Sequence, residues 1–132
     1  MWSGAPTGLF LFEERMTLPR TLVVVETDPR TSPRPAEAIR IAAGIGAWKK
    51  TEVTLLLRGA AGYSLQEYAD ELVDEDHFTH YLPLVVESER PIYVEESFGD
   101  VAALEGSPWR YEMISKERAL ELMKATDYVI RL

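Results

Sequence analysis

The stretch Thr21–Lys50, TLVVVETDPRTSPRPAEAIRIAAGIGAWKK, constrains this chain more than any other. Within it, Leu22-Val23-Val24-Val25 is a continuous apolar run without the alternation of a half-solvated strand. It therefore predicts a strand buried on both faces of a parallel sheet, at the sheet's centre. The run ends in Glu26-Thr27-Asp28-Pro29, and Ser32-Pro33 or nearby Pro35 then supplies a cap and a proline suited to a helix's first turn. From Pro35 onward, Ile39, Ala42, Ala43, Gly46 and Ala47 recur at helical spacing, a narrow face fit for close packing on a sheet. Gly44 and Gly46 each cost a helix about 1 kcal/mol relative to Ala, so either a neighbour approaches them closely or the helix loosens there. Lys49 and Lys50 place positive charge where the dipole of the last turn favours it.

The rest of the chain repeats that strand–loop–helix unit. Val53–Leu57 is a second buried strand, closed by the small-residue loop Arg58-Gly59-Ala60-Ala61-Gly62. Ser64 and Glu67 have the spacing of a capping box and predict a helix from about Leu65, with Leu65, Tyr68, Ala69 and Leu72 as its apolar stripe. The acidic Asp74-Glu75-Asp76 marks a break, and Phe78, Tyr81, Leu82, Val85 and Val86 predict more helix around Pro83. Pro91–Glu96 reads as a third strand, with proline at its entry, where the missing donor is tolerated. A polar turn and a short helix through Val101, Ala102 and Leu104 follow, ended by Gly106-Ser107-Pro108. Arg110–Ile114 is a fourth strand, Ser115 caps a helix carrying Ala119, Leu120, Leu122 and Met123, and Tyr128–Leu132 is a fifth strand. Strands alternating with helices predict a three-layer α/β/α sandwich with a mainly parallel five-stranded sheet, of the flavodoxin-like kind.

A chain of 132 residues fits one domain with a sizeable core, here residues 21–132 preceded by an N-terminal extension, residues 1–20. In that extension Gly8-Leu9-Phe10-Leu11-Phe12 is followed at once by Glu13, Glu14 and Arg15. It lacks the basic start and cleavage site of a secretory signal, and Met16 can serve as an alternative start. Trp2, Phe10 and Phe12 are expected either to pack on a neighbour, to form a short edge strand, or to belong to a loose tail. No apolar run approaches the roughly 20 residues of a membrane span. A formal charge of −8 argues against a nucleic-acid partner, which calls for a clustered basic face. Cysteine is absent, which excludes disulfides, thiolate metal sites and a cysteine nucleophile, and fits a cytoplasmic chain.

Chemistry is sparse. In an open parallel sheet ligands sit beyond the carboxyl ends of the strands. That rule gathers Glu26, Thr27 and Asp28 with Arg58, Gly59 and Gly62, and with Glu95, Glu96 and Ser97. Glu95 and Glu96 are the candidate catalytic pair, because adjacent, partly buried carboxylates suit acid–base work. Thr27, Asp28, Arg58, Gly59, Gly62 and Ser97 are the candidate ligand-binding set, and Arg30, Arg34 or Arg58 can meet an anion at a helix N-terminus. The plain alternative is a row of solvated strand ends and local ion pairs. His77 and His80 share a helix face near Asp74 and Asp76 but lack the context of a metal motif, so no metal site is assigned. Gly44-Ile45-Gly46 lies late in a helix rather than in a strand-to-helix turn, the Gly59–Gly62 loop has no Walker lysine, and no nucleophile elbow occurs. No cofactor is assigned. Trp48, Tyr63, Tyr68, Phe78 and Tyr81 are read as core, or else as pocket or subunit-interface residues.

Three passages carry a resemblance: the strand and helix Leu22–Trp48, the strand Glu52–Gly59, and the end Ile114–Ile130, ISKERALELMKATDYVI. In order and character they resemble the DsrE/DsrF-like family of YchN-like fold, which includes sulfur-relay subunits of tRNA thiolation. The resemblance implies a trimer or hexamer. It also implies a persulfide-carrying cysteine near the end of the third strand, where this chain has Tyr93-Val94-Glu95-Glu96-Ser97, with Glu95 or Glu96 the nearest counterpart. Neither can carry sulfane sulfur. The expected function is therefore that of a cytoplasmic, homo-oligomeric DsrE-like protein with a binding or assembly role. The alternatives are a small-molecule enzyme using the strand-end carboxylates, or a silent subunit that recruits a cysteine-bearing DsrE-like paralogue.

Overall fold

The computed structural model describes residues 18–87 and 91–132. The expectations for Trp2, Phe10, Phe12 and Met16 lie outside them. Five parallel strands form one sheet in the order β4-β3-β2-β1-β5: β1 Arg20–Val25, β2 Glu52–Leu57, β3 Ile92–Glu95, β4 Tyr111–Ile114 and β5 Tyr128–Arg131. Leu22, Val23, Val24 and Val25 are fully buried, as a run without alternation requires. The central place nevertheless belongs to β2, with β1 one position off, because the last connection returns β5 to the far side of β1.

Alternation along the strands divides the core. Val23, Val25, Leu55, Leu57, Ile92 and Val94 face one side. There they pack under α1 (Arg34–Trp48), α2 (Glu75–Val86) and two 3-10 helices, Gly59–Leu65 and Val101–Leu104. Leu22, Val24, Leu56 and Ile114 face the other side, where α3 (Lys116–Ala125) lays Ala119, Leu122 and Met123 over them. The three layers are thus unequal, with one face covered by two long helices and the other by a single helix of ten residues.

The first turn of α1 carries Pro35 as expected, and the Ser32 hydroxyl accepts from the Arg34 amide, although Pro33 rather than Ser32 holds the capping position. Neither expectation for the helical glycines holds. The helix runs unbroken to Trp48, and a Cβ added at Gly44 or Gly46 would meet nothing within 4 Å. Lys49 falls just past the last turn, in the left-handed conformation at φ 60, with its amide on the Gly46 carbonyl.

The capping box is the clearest miss. No α-helix begins at Leu65; Gly59–Leu65 is wound as a 3-10 helix and Gln66 is extended. Tertiary packing takes Ala61, Leu65 and Leu72 into the core and leaves Tyr68 exposed, so the apolar stripe was real but its period was not helical. The expected capping residue, Ser64, is buried with its hydroxyl unpartnered. By contrast, the Ser115 hydroxyl accepts the Arg118 amide at 3.1 Å, and the helix it was expected to cap is there.

Candidate functional site

The carboxyl ends of the strands bring Glu26, Arg58 and Glu95 together. Each is a strand's last residue or its immediate successor. Arg58 Nε donates to Glu95 Oε2 at 2.6 Å, and Arg58 Nη1 donates to Glu26 Oε2 at 3.2 Å. Glu95 is 2% exposed and takes this charge-assisted bond in the interior, whereas Glu26 lies open to solvent. The Ser97 hydroxyl accepts the Gly59 amide at 2.9 Å, fastening the turn after β3 to the turn after β2.

Strand alternation separates the two glutamates that sequence reasoning paired. Glu95 points under the edge to Arg58, while Glu96 is exposed and accepts the Lys116 amide at 3.4 Å. This is where the sheet's connections change sides. The chain after β3 turns toward the face of α1 and α2, burying Leu104 there, and the chain after β4 enters α3 on the other face. Ligands favour such switch points. Here the N-terminus of α3 already receives two side-chain acceptors of the protein's own, Glu96 and Ser115.

Beside this cluster lies a second network. Asp28 Oδ1 accepts the Arg30 amide at 2.9 Å, and both Asp28 oxygens accept from the Arg30 guanidinium. The Arg30 side chain, rather than waiting for an anion, is spread 3.8 Å over the Tyr63 ring. Tyr63 in turn donates to Asp100 at 2.8 Å. The Arg30 hydrogen bond holds the Asp28 carboxyl below its ordinary value, outweighing partial burial, and the bond to Asp100 pushes the Tyr63 phenol up. Asp100 drew no attention in the sequence because nothing local to it signals a partner 37 residues away.

The remaining predicted residues are placed as follows. Gly62 lies beneath Phe98, whose ring carbon would stand 2.4 Å from an added Cβ, so its want of a side chain serves packing. The Thr27 hydroxyl is buried without a partner. His77 and His80 set their rings edge-on to Tyr81, and among the described residues no three His, Asp or Glu side chains gather as a metal site. No helix among them is long and apolar enough to cross a membrane.

The fold and its strand-end cluster define a parallel α/β sandwich whose carboxyl edge is tied together by the ion pairs of Arg58 with Glu95 and Glu26 and by the Gly59–Ser97 hydrogen bond. Among solved structures it is similar to the ychN protein from E. coli, with a TM-score of 0.70, 13% identity, and coverage of 86% of this chain and 99% of that one. The fold is thus YchN-like. No family model matches the chain, and no curated protein matches its sequence.

Proposed function

We propose that this chain is a homo-oligomeric, DsrE-like binding or assembly protein, a trimer or hexamer, that carries no sulfur of its own. The observation that supports it best is the thin cover on the α3 face. Leu120 is 43% exposed on α3, and Val129, whose register with Leu22 puts it on the same side of the sheet, is 41% exposed on the edge strand β5. Apolar side chains of this size left exposed favour contact with another surface over water. The polar edge supports the same reading: Glu95 is engaged by Arg58, and without cysteine there is no thiol to hold a persulfide.

Replacing Leu120 and Val129 together by Asp tests the reading. The expected outcome is a shift to a smaller species with the circular dichroism of the parent; an unchanged mass excludes this face as the interface. A mixed assembly with a cysteine-bearing paralogue remains the second reading, favoured by the glutamates standing where the resembling family places its cysteine. Co-purification from the native host distinguishes it from a homo-oligomer.

A further inference from the structure

β5 ends the sheet, and among the described residues it pairs with β1 alone. An open edge of this kind offers its unpaired amides and carbonyls to another strand. Which groups it offers follows from the β1 side. The Leu132 amide donates to the Val24 carbonyl at 2.8 Å, and the Leu132 carbonyl accepts the Glu26 amide at 3.0 Å. Backbone groups alternate in direction along a strand, so Ile130 and Tyr128 also turn theirs to β1, while Val129 and Arg131 turn theirs outward.

Side chains alternate as well. Val129 and Arg131 stand in register with Leu22 and Val24, which face α3, and Arg131 Nη2 lies 3.7 Å from Met123 Sδ on that helix. Asp127 falls on the same side by the two-residue period. Its Oδ2 accepts the Arg20 amide at 2.8 Å, which leaves Oδ1 unpaired among the described residues. Tyr128 and Ile130 fall on the other side, and all of β5 except Ile130 is exposed. Between Thr126 and Leu132 the charged side chains are Asp127 and Arg131, and in the second half of α3 they are Glu121 and Lys124. This edge is therefore neutral, although the chain as a whole carries −8.

We propose that β5 pairs antiparallel with β5 of a second copy across a two-fold axis at Val129, joining two five-stranded sheets into one. This pairing rests on the assembly reading and deepens it: a two-fold axis belongs to a hexamer of paired trimers and is absent from a single trimer. The register follows from charge. Centred on Val129, Asp127 stands opposite Arg131 of the second copy, Tyr128 opposite Ile130, and Val129 opposite itself, where its outward amide and carbonyl exchange bonds. Centred on Ile130, Arg131 falls opposite Val129 and loses its ion pair; centred on Arg131, two guanidiniums meet. The contact is isologous and closes on itself, whereas β5 laid on the β4 edge of another copy extends the sheet from copy to copy.

The chain has no cysteine, so a single introduced one reports the axis. Val129→Cys sets two thiols across the two-fold at a Cα separation of about 5.5 Å, within disulfide reach. Oxidation of the full chain with diamide, which takes up the two protons and two electrons, is expected to give a covalent dimer on a non-reducing gel. Tyr128→Cys, more exposed but set more than about 7 Å from its own copy, is expected to give roughly tenfold less. Arg131→Glu in the Val129→Cys background places two carboxylates together and is expected to lower the yield severalfold. No cross-link at 129, or as much at 128, overturns the strand pairing, and a yield unchanged by Arg131→Glu overturns its register. Light scattering separates this contact from the assembly it belongs to: a particle of three chains contradicts the two-fold and leaves the assembly standing, and a particle of one chain contradicts both.

Discussion

Arg58 Nε stands 2.6 Å from Glu95 Oε2 beneath the carboxyl edge of the sheet, joining the ends of two neighbouring strands through one nearly buried ion pair. The pair accounts for the most deeply buried carboxylate among the described residues.

Arg58→Ala strands the Glu95 charge in the interior and is expected to lower stability by about 3–5 kcal/mol, read from urea unfolding. Arg58→Met combined with Glu95→Leu replaces the pair by apolar bulk and is expected to recover most of that loss. If Arg58→Ala stays within about 0.5 kcal/mol of the parent, the pair does not hold the edge together.

Gly62→Ala is expected to destabilise by about 1–3 kcal/mol, because the new methyl would fall on the Phe98 ring. Making the same change in a Phe98→Leu background is expected to cost less, since the ring is gone. Equal losses in both backgrounds, measured by chemical unfolding, would show that Gly62 matters for its backbone instead.

How far the sequence was readable depends on where the determining contact lay. The strands were legible because burial on both faces writes itself as a local apolar run, as at Leu22–Val25 and Leu55–Leu57. Ser64 and Glu67 misled because the capping-box spacing is local, whereas this segment buries Ala61, Leu65 and Leu72 in a core shared with residues far along the chain, Phe98 among them, 36 residues from Gly62. The strand-end rule gathered Glu26, Arg58, Glu95 and Ser97 correctly in space. It could not foresee that strand alternation would bury Glu95 and turn Glu96 outward, nor that Arg30 would lie on Tyr63.

The Asp28–Arg30–Tyr63–Asp100 network predicts opposite pH effects at its two ends. The folded-state pKa of Asp28 is depressed, so its contribution is present above the ordinary carboxylate value of about 3.9 and is lost as pH falls through the lower folded value. Tyr63 is raised, so its contribution is complete below about pH 10 and is lost as pH rises through the higher folded value. Asp28→Asn is therefore expected to flatten the acid limb of melting temperature against pH, and Tyr63→Phe the alkaline limb. If each substitution lowers the curve equally at every pH, the network is not the source of these limbs.

The mass of the native chain in solution, by light scattering at micromolar concentration, tests the central claim most directly. The account predicts three or six chains per particle, reduced when Leu120 and Val129 are both replaced by Asp. A particle of one chain at that concentration contradicts it.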